Sequence, residues 1–251
     1  MKPEEAVINQ AKNPDRIWEI DFLRGLAIIL MVGYHLLYDL GDFVGLKKFL
    51  GFSTDLTTPA WLLAQNFFAG LFIILSGIST TFSRNNLRRF LKFLFVAILI
   101  TGTTYVFDKS SAILFGIIHC LAFSVLLYIT LFKKSSPAIR VGCGILILFT
   151  SFTLPFIRKT TGLSSSWLLP FGLPDPGFAS FDYFPLIPWF GVFLLGTALG
   201  HWLYEEKKSL IRRPLPETFI NWCGRYSLWI YLLHQPIIIG ILYLLGYVTL
   251  F

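Results

Sequence analysis

The sequence is poor in charged residues and in cysteine, and both shortages exclude whole classes of protein. Only 14% of its 251 residues are charged, whereas a soluble domain carries about 25%. The 3 cysteines, Cys120, Cys143 and Cys223, are isolated and odd in number, so neither a disulfide framework nor a zinc-ligand spacing is present. Residues 1–19 also lack the short apolar core and cleavage site of a signal peptide. We therefore expect neither a soluble enzyme nor a disulfide-stabilised secreted domain.

Apolar residues, in contrast, are abundant and fall into runs near the length of a bilayer span. Hydrophobic residues make up 55% of the chain, including 26 Phe. Runs of about 20 apolar residues predict membrane-spanning helices. We predict an all-α, polytopic membrane protein in which residues 1–251 form a single integral domain. Residues 1–19 of this domain are predicted to be a cytoplasmic N-terminal segment. The predicted spans are 21–41, 60–82, 91–107, 112–132, 138–157, 183–204 and 222–248.

The distribution of cations predicts the orientation of these spans. A net charge of +7 could indicate nucleic-acid binding, but the cations lie in the short connections between spans, as the positive-inside rule describes. One set of flanks carries 14 Lys or Arg and the other carries 5. The smaller set is Lys47, Lys48, Lys109, Arg158 and Lys159. The bias predicts a cytoplasmic N-terminus, an external C-terminus and no nucleic-acid partner.

The first span contains an ionisable pair, which is costly inside a membrane. His35 and Asp39 are spaced i, i+4, and Tyr38 lies on much the same face. A carboxylate one turn from an imidazole can fix its tautomer and raise its basicity, as a general base requires. We therefore predict His35 as a base that Asp39 orients.

Further ionisable residues fall at similar predicted depth in other spans. His119 and Asp182 are in the outer half with the first pair, and His234 lies just below them. A metal site is one reading of this group, although no His-x-x-x-His or Cys-x-x-Cys spacing supports it, and we predict none. A proton relay or transport path is another. His234 has a structural alternative, a hydrogen bond to a carbonyl that Pro236 frees.

Cations at the predicted inner face also allow two interpretations. Arg84, Arg88, Arg89 and Lys92 follow the second span and can anchor it or bind donor phosphates, for which arginine is well suited. Arg24 and Arg225 stand at inner helix ends, where snorkelling to the interface would also explain them. Ser76 and Gly77 are typical of a close helix-packing face.

Several motifs, taken in order, resemble the heparan-α-glucosaminide N-acetyltransferase catalytic family, specifically its small bacterial members. The resemblance covers nearly the whole chain from Arg16 to about Gly246. The matching segments are Arg16–Ile28 with Tyr34-His35, Leu75–Ser79, Phe115–His119, Asp182–Leu186 with Pro188-Trp189, and Gly224–Leu228 with Tyr231–Pro236.

The resemblance implies transfer of an acyl group from a cytoplasmic thioester to an acceptor across the membrane. The lysosomal members carry Asn near the place of His35, with their catalytic histidine in the following loop, and Gln near His119. Residues 42–59 contain no histidine, so the base is either His35 or His119. Tyr38 or His119 would stabilise the oxyanion, and Asp182 with Trp189 would help form the acceptor pocket.

The resemblance thus completes an expectation of an acetyl-CoA-dependent N- or O-acetyltransferase in a bacterial inner membrane. Its partners would be the bilayer, a CoA thioester and an extracytoplasmic sugar or glycan, and a homodimer stays open. The alternative is a transporter or channel for a small solute or lipid-linked glycan. The expected substrate-binding residues are Tyr38, Ser76, Asp182, Trp189, Tyr231, His234 and Gln235. The expected donor-binding residues are Arg24, Arg84, Arg88, Arg89 and Arg225.

Overall fold

The computed structural model describes residues 17–211 and 218–248, and these are almost entirely helical. Six helices are long and apolar enough to cross a membrane, which confirms the all-α polytopic class. They are α1 (Trp18–Asp42), α2 (Pro59–Phe82), α3 (Asn86–Phe107), α5 (Pro137–Thr161), α6 (Leu186–Leu203) and α8 (Ser227–Leu244).

The predicted fourth and seventh spans differ most from expectation. Helix α4 (Ile117–Leu127) continues only through a π-helical turn, Tyr128–Phe132, and is the shorter apolar helix of the described chain. The last span begins instead as a separate helix, α7 (Phe219–Arg225), which ends at Tyr226 before α8 starts. Gly116 before α4, and several prolines before α6, favour the irregular segments that precede these two helices.

Two predicted loops also contain regular structure. After α1 a two-stranded hairpin forms, β1 (Lys48–Phe49) with β2 (Phe52–Ser53). The predicted fifth span ends at residue 157, but α5 continues to Thr161 and a 3-10 helix follows at Ser166–Phe171. A proline is tolerated in that short helix because few of its N–H groups need an internal partner.

The chain falls into two compact units, the first Met1–Phe72 with Lys208–Phe251 and the second Ile73–Lys207. The predicted single domain spans both units and stays a prediction, as does the cytoplasmic N-terminus. Most of the predicted cytoplasmic segment 1–19, together with Arg212 and Arg213, lies outside the described residues.

In the first unit, α1 and α7 cross so closely that their backbones are in contact. A Cβ on Gly25 would lie 1.8 Å from the carbonyl oxygen of Ile220, and a Cβ on Gly224 would lie 1.8 Å from that of Asp21. Only glycine at both positions allows this approach. Farther along, Ile238, Leu242 and Val248 form a core to which α1 contributes apolar side chains. The crossing and this core hold α8 beside α1.

In the second unit, the later part of α2 packs against α6 through another row of glycines. A Cβ on Gly77 would lie 2.4 Å from the carbonyl oxygen of Phe193, and one on Gly196 would lie 2.4 Å from that of Ile74. Phe193 and Leu194 are fully buried between these helices and their neighbours. This is the close helix-packing face that small residues around Ser76 indicate.

Candidate active site

Two histidines from distant parts of the chain meet in the first unit. His35 of α1 and His234 of α8 have ring centroids 5.0 Å apart, at an interplanar angle of 53°. Tyr231, one turn before His234, places its ring 5.6 Å from the same imidazole. These residues, with Asp39 and Gln235, are called here the His35–His234 cluster. The sequence placed His35 and His234 at neighbouring depths, and the structure brings their rings together.

Hydrogen bonding fixes the tautomer of His234. Its Nδ1 lies 2.6 Å from the carbonyl oxygen of Tyr231, and because a carbonyl only accepts, Nδ1 carries the hydrogen. Its Nε2 therefore presents a lone pair, which is buried and has no hydrogen-bond partner among the described residues. The carbonyl that Pro236 would free, four residues earlier, belongs to Leu232, so the structural alternative for His234 does not describe this bond.

Asp39 is nearly fully buried, and its carboxylate is hydrogen bonded to Gln235. The Gln235 amide Nε2 donates to Asp39 Oδ1 at 3.4 Å, which is a long bond. No hydrogen bond joins Asp39 to His35 within the described chain, so the i, i+4 spacing does not produce the expected direct pair. Asp39 Oδ2 and Gln235 Oε1 are likewise buried without a hydrogen-bond partner among residues 17–211 and 218–248.

An aromatic and amide wall flanks His35. The Tyr34 hydroxyl donates to Gln65 Oε1 at 3.2 Å, and the Tyr34 ring lies 5.9 Å from both His35 and Trp61. The expected candidate Tyr38 is in the same unit, with 42% of its surface exposed. Sequence reasoning missed Gln65 and Trp61 as neighbours of the site, although a glutamine within an apolar span was a usable signal.

A second histidine-containing group lies in the second unit, and every polar ring atom in it is bonded. His119 Nδ1 accepts the Gly116 N–H at 3.3 Å, so the hydrogen is on Nε2, which donates to Thr101 Oγ1 at 3.0 Å. The Thr101 hydroxyl in turn donates to the Ile113 carbonyl. These bonds hold the start of α4 to α3.

Asp182 acts at the same helix start. Its Oδ2 accepts the Ile117 N–H at 3.0 Å, which satisfies one of the amides that a helix N-terminus leaves open. Trp189, the other expected acceptor residue, is half-buried with its ring 5.1 Å from Phe184. The acceptor roles of Asp182 and Trp189 and the catalytic role of His119 stay predictions.

The expected donor-binding cations have different surroundings. Arg89 Nη2 donates to Ser76 Oγ at 2.9 Å and to the Ser76 carbonyl at 3.3 Å, which joins α3 to α2. The side chains of Arg84 and Arg88 are exposed. In the first unit, Arg24 forms an ion pair with Asp21 at 3.2 Å. The remaining candidate, Arg225, is half-buried at the end of α7.

Apolar helices of spanning length, with a histidine pair beside a buried carboxylate in the first unit, define a multi-pass membrane protein with a candidate catalytic centre. The described residues contain no group of 3 or more His, Cys, Asp or Glu side chains that could hold a metal ion.

Comparison with known families identifies the class more closely. Residues 16–236 match the model of the family described as heparan-alpha-glucosaminide N-acetyltransferase, catalytic. The match covers most of the chain, so this protein belongs to that family of membrane acetyltransferases, as the motifs indicated. No curated protein and no solved structure matches the chain.

Proposed function

We propose that this protein transfers an acetyl group from a CoA thioester to an amine or hydroxyl of an extracytoplasmic sugar or glycan. The protein would lie in a bacterial inner membrane with its N-terminus in the cytoplasm. Family membership supports the transferase class. The observation that supports the site is the lone pair of His234 Nε2, buried beside His35 with no partner among the residues that the structure describes.

The His35–His234 cluster has the groups that acyl transfer from a thioester needs. An amine or hydroxyl must lose a proton as it attacks the thioester carbonyl, and a positioned imidazole can accept that proton. The C–S bond then breaks, CoA leaves as a thiolate, and the thiolate takes the proton. Of the two imidazoles, His234 has a fixed tautomer with its acceptor nitrogen open, so it is the proposed base. His35, its neighbour, would position the substrate or take part in the proton transfer.

Asp39 acts in this proposal through Gln235 rather than by direct contact with His35. The Gln235 amide donates to the carboxylate, and its own carbonyl oxygen stays open. A buried carboxylate and amide with open acceptors can receive hydrogen bonds from a sugar amine or hydroxyl. Tyr38 and Tyr231, in the same unit, stay candidates for the oxyanion and for acceptor contacts.

The proposed donor contacts involve cations on the predicted cytoplasmic side. Arg84 and Arg88 are exposed at the start of α3, and an arginine fork suits a phosphate. Arg89, with its bonds to Ser76, is better placed to support this turn than to bind a ligand directly. Arg24 and Arg225 stay donor candidates within the first unit.

The experiment uses purified protein in proteoliposomes supplied with acetyl-CoA and either glucosamine or glucose. Release of free CoA and formation of an acetylated sugar, detected by mass spectrometry, is the expected result. The transporter alternative predicts movement of the sugar across the vesicle membrane with no consumption of thioester. If acetyl-CoA is neither bound nor consumed, the proposal is wrong.

A further inference from the structure

The second unit contains a cleft that the proposed chemistry does not use. Its volume is about 550 Å³, and one wall is formed by α5 and the other by residues of the segment that leads into α6. The α5 wall consists of Ser151, Leu154, Pro155, Arg158 and Lys159. The opposite wall consists of Gly172, Leu173, Tyr183, Pro185, Ile187 and Pro188.

The α5 wall changes from apolar to cationic along one helix face. Its residues are spaced i, i+3, i+4, i+7 and i+8, which places them in one stripe. With a rise of about 1.5 Å per residue, the stripe is roughly 12 Å long. The two cations, Arg158 and Lys159, are in the last turn of α5. The cleft thus has a positive end at the C-terminus of α5, and the rest of this wall, toward the middle of the helix, is mainly apolar.

The positive charge at this end is not neutralised by nearby acidic groups. Among the described lining residues none is acidic, and neither Arg158 nor Lys159 has a carboxylate partner in the described chain. Burial raises the pKa of Tyr183 to about 12, so its hydroxyl stays neutral and donates to the Leu169 carbonyl at 2.7 Å. A ligand anion would therefore meet a net positive site.

The predicted topology makes these cations unusual. Arg158 and Lys159 belong to the 5 cations assigned to the external side, where the positive-inside rule disfavours them. Cations at the end of a spanning helix, above an apolar slot, match the chemistry of a phospholipid, which joins a phosphate to hydrocarbon chains.

We propose that this cleft binds an anionic phospholipid, with the phosphate at Arg158 and Lys159 and an acyl chain along the Leu154 and Pro155 face. The guanidinium fork of Arg158 would hold the phosphate oxygens, and Lys159 would add a point charge. This inference goes beyond the proposed acyl transfer and does not depend on it, since no step of that reaction uses the cleft.

The test measures lipids retained by the purified protein in native mass spectrometry, with phosphatidylglycerol and phosphatidylcholine as probes. A cation near the membrane surface contributes roughly fivefold in affinity, so Arg158→Gln with Lys159→Gln should weaken phosphatidylglycerol binding by about 30-fold. The matched control removes two cations of the same predicted side outside the cleft, Lys47→Gln with Lys48→Gln. This control should retain phosphatidylglycerol as the unmodified protein does.

A steric variant tests the contribution of the apolar part of the cleft separately from that of its charge. Ser151→Trp keeps both cations but fills the apolar end, and it should also reduce phosphatidylglycerol retention. The proposal is overturned if both double variants lose the lipid equally, because binding would then follow overall charge. It is also overturned if Ser151→Trp retains phosphatidylglycerol fully. A third contradicting result is that the unmodified protein retains phosphatidylcholine to the same extent as phosphatidylglycerol. Enzyme activity is not part of this readout, so the outcome is separate from that of the proposed function.

Discussion

The two buried histidine groups of this protein differ in one respect, the state of their hydrogen bonds. In the second unit, both ring nitrogens of His119 are bonded, and Asp182 accepts a helix N–H. In the first unit, His234 Nε2, Asp39 Oδ2 and Gln235 Oε1 are buried with no partner among the described residues. The same residue types therefore differ in how far their hydrogen bonds are satisfied in the two units.

The state of the hydrogen bonds separates a structural histidine from a candidate catalytic one. A buried polar atom without a partner costs about 1–3 kcal/mol, so three such atoms in one cluster need a compensating use. A substrate that supplied the missing hydrogen bonds would provide it, as we propose. His119 needs no such explanation, because its bonds already join α3 and α4.

The largest expected effect is on turnover when the first cluster loses an imidazole. His35→Ala should reduce acetyl transfer by on the order of 100- to 10,000-fold, the range for a positioned group that takes part in proton transfer. Acetyl-CoA binding, measured by equilibrium dialysis, should change little, because the thioester's phosphates are expected to contact other residues. Near-normal transfer by this variant would show that His35 takes no part in proton transfer or in positioning the substrate beside His234.

A smaller loss is expected when the helix crossing that positions the cluster is disturbed. Gly224→Ala puts a Cβ where the Asp21 carbonyl lies, at 1.8 Å, so α1 and α7 must separate, at a cost of about 1–3 kcal/mol. The melting temperature in detergent and the turnover should both fall. Gly240→Ala is the matched control, since nothing lies within 4 Å of its added Cβ. Equal effects of the two variants would show that the crossing has no special role.

Replacement of Asp39 tests the indirect path through Gln235. Asp39→Asn keeps the shape but replaces one carboxylate oxygen with a donor, so it should lower turnover by roughly 10- to 100-fold through the weakened Gln235 contact. Gln235→Leu should give a similar loss. If Asp39→Asn is severe and Gln235→Leu is silent in the same transfer assay, Asp39 acts directly on substrate or His35.

The smallest effect on chemistry is expected in the second unit. Thr101→Val removes the acceptor of the His119 Nε2–H bond and should lower the free energy of unfolding by about 1–3 kcal/mol. Turnover per folded molecule should stay the same. Thermal denaturation and transfer assays on the same preparation check both parts. A loss of turnover without a loss of stability would give the His119 group a catalytic role.

Much of the fold could be predicted from the sequence, because apolar runs of bilayer length are a strong signal. The short α4 and the break at Tyr226 could not, since they depend on packing and on how backbone groups are satisfied. His35 and His234 could be named as candidates from their positions in apolar spans. Their contact depends on the approach of Gly25 and Gly224, which belong to chain segments far apart in sequence.

The spacing of residues along the sequence was least informative about which side chains form hydrogen bonds with each other. The i, i+4 relation made His35 the expected partner of Asp39, but Gln235 of α8 forms that bond instead. Helix spacing says which residues share a face and does not say which residue on a neighbouring helix competes for a bond. Asp182 shows the same limit, because only the folded chain brings it to the α4 N-terminus.

We propose that acetyl transfer takes place at the His35–His234 cluster and not at His119. The most direct test compares His234→Gln and His119→Gln in one proteoliposome assay with radiolabelled acetyl-CoA, with turnover normalised to folded protein. The account predicts that His234→Gln is at least about 100-fold slower than His119→Gln. Full transfer by His234→Gln, together with loss of transfer in folded His119→Gln, would contradict it.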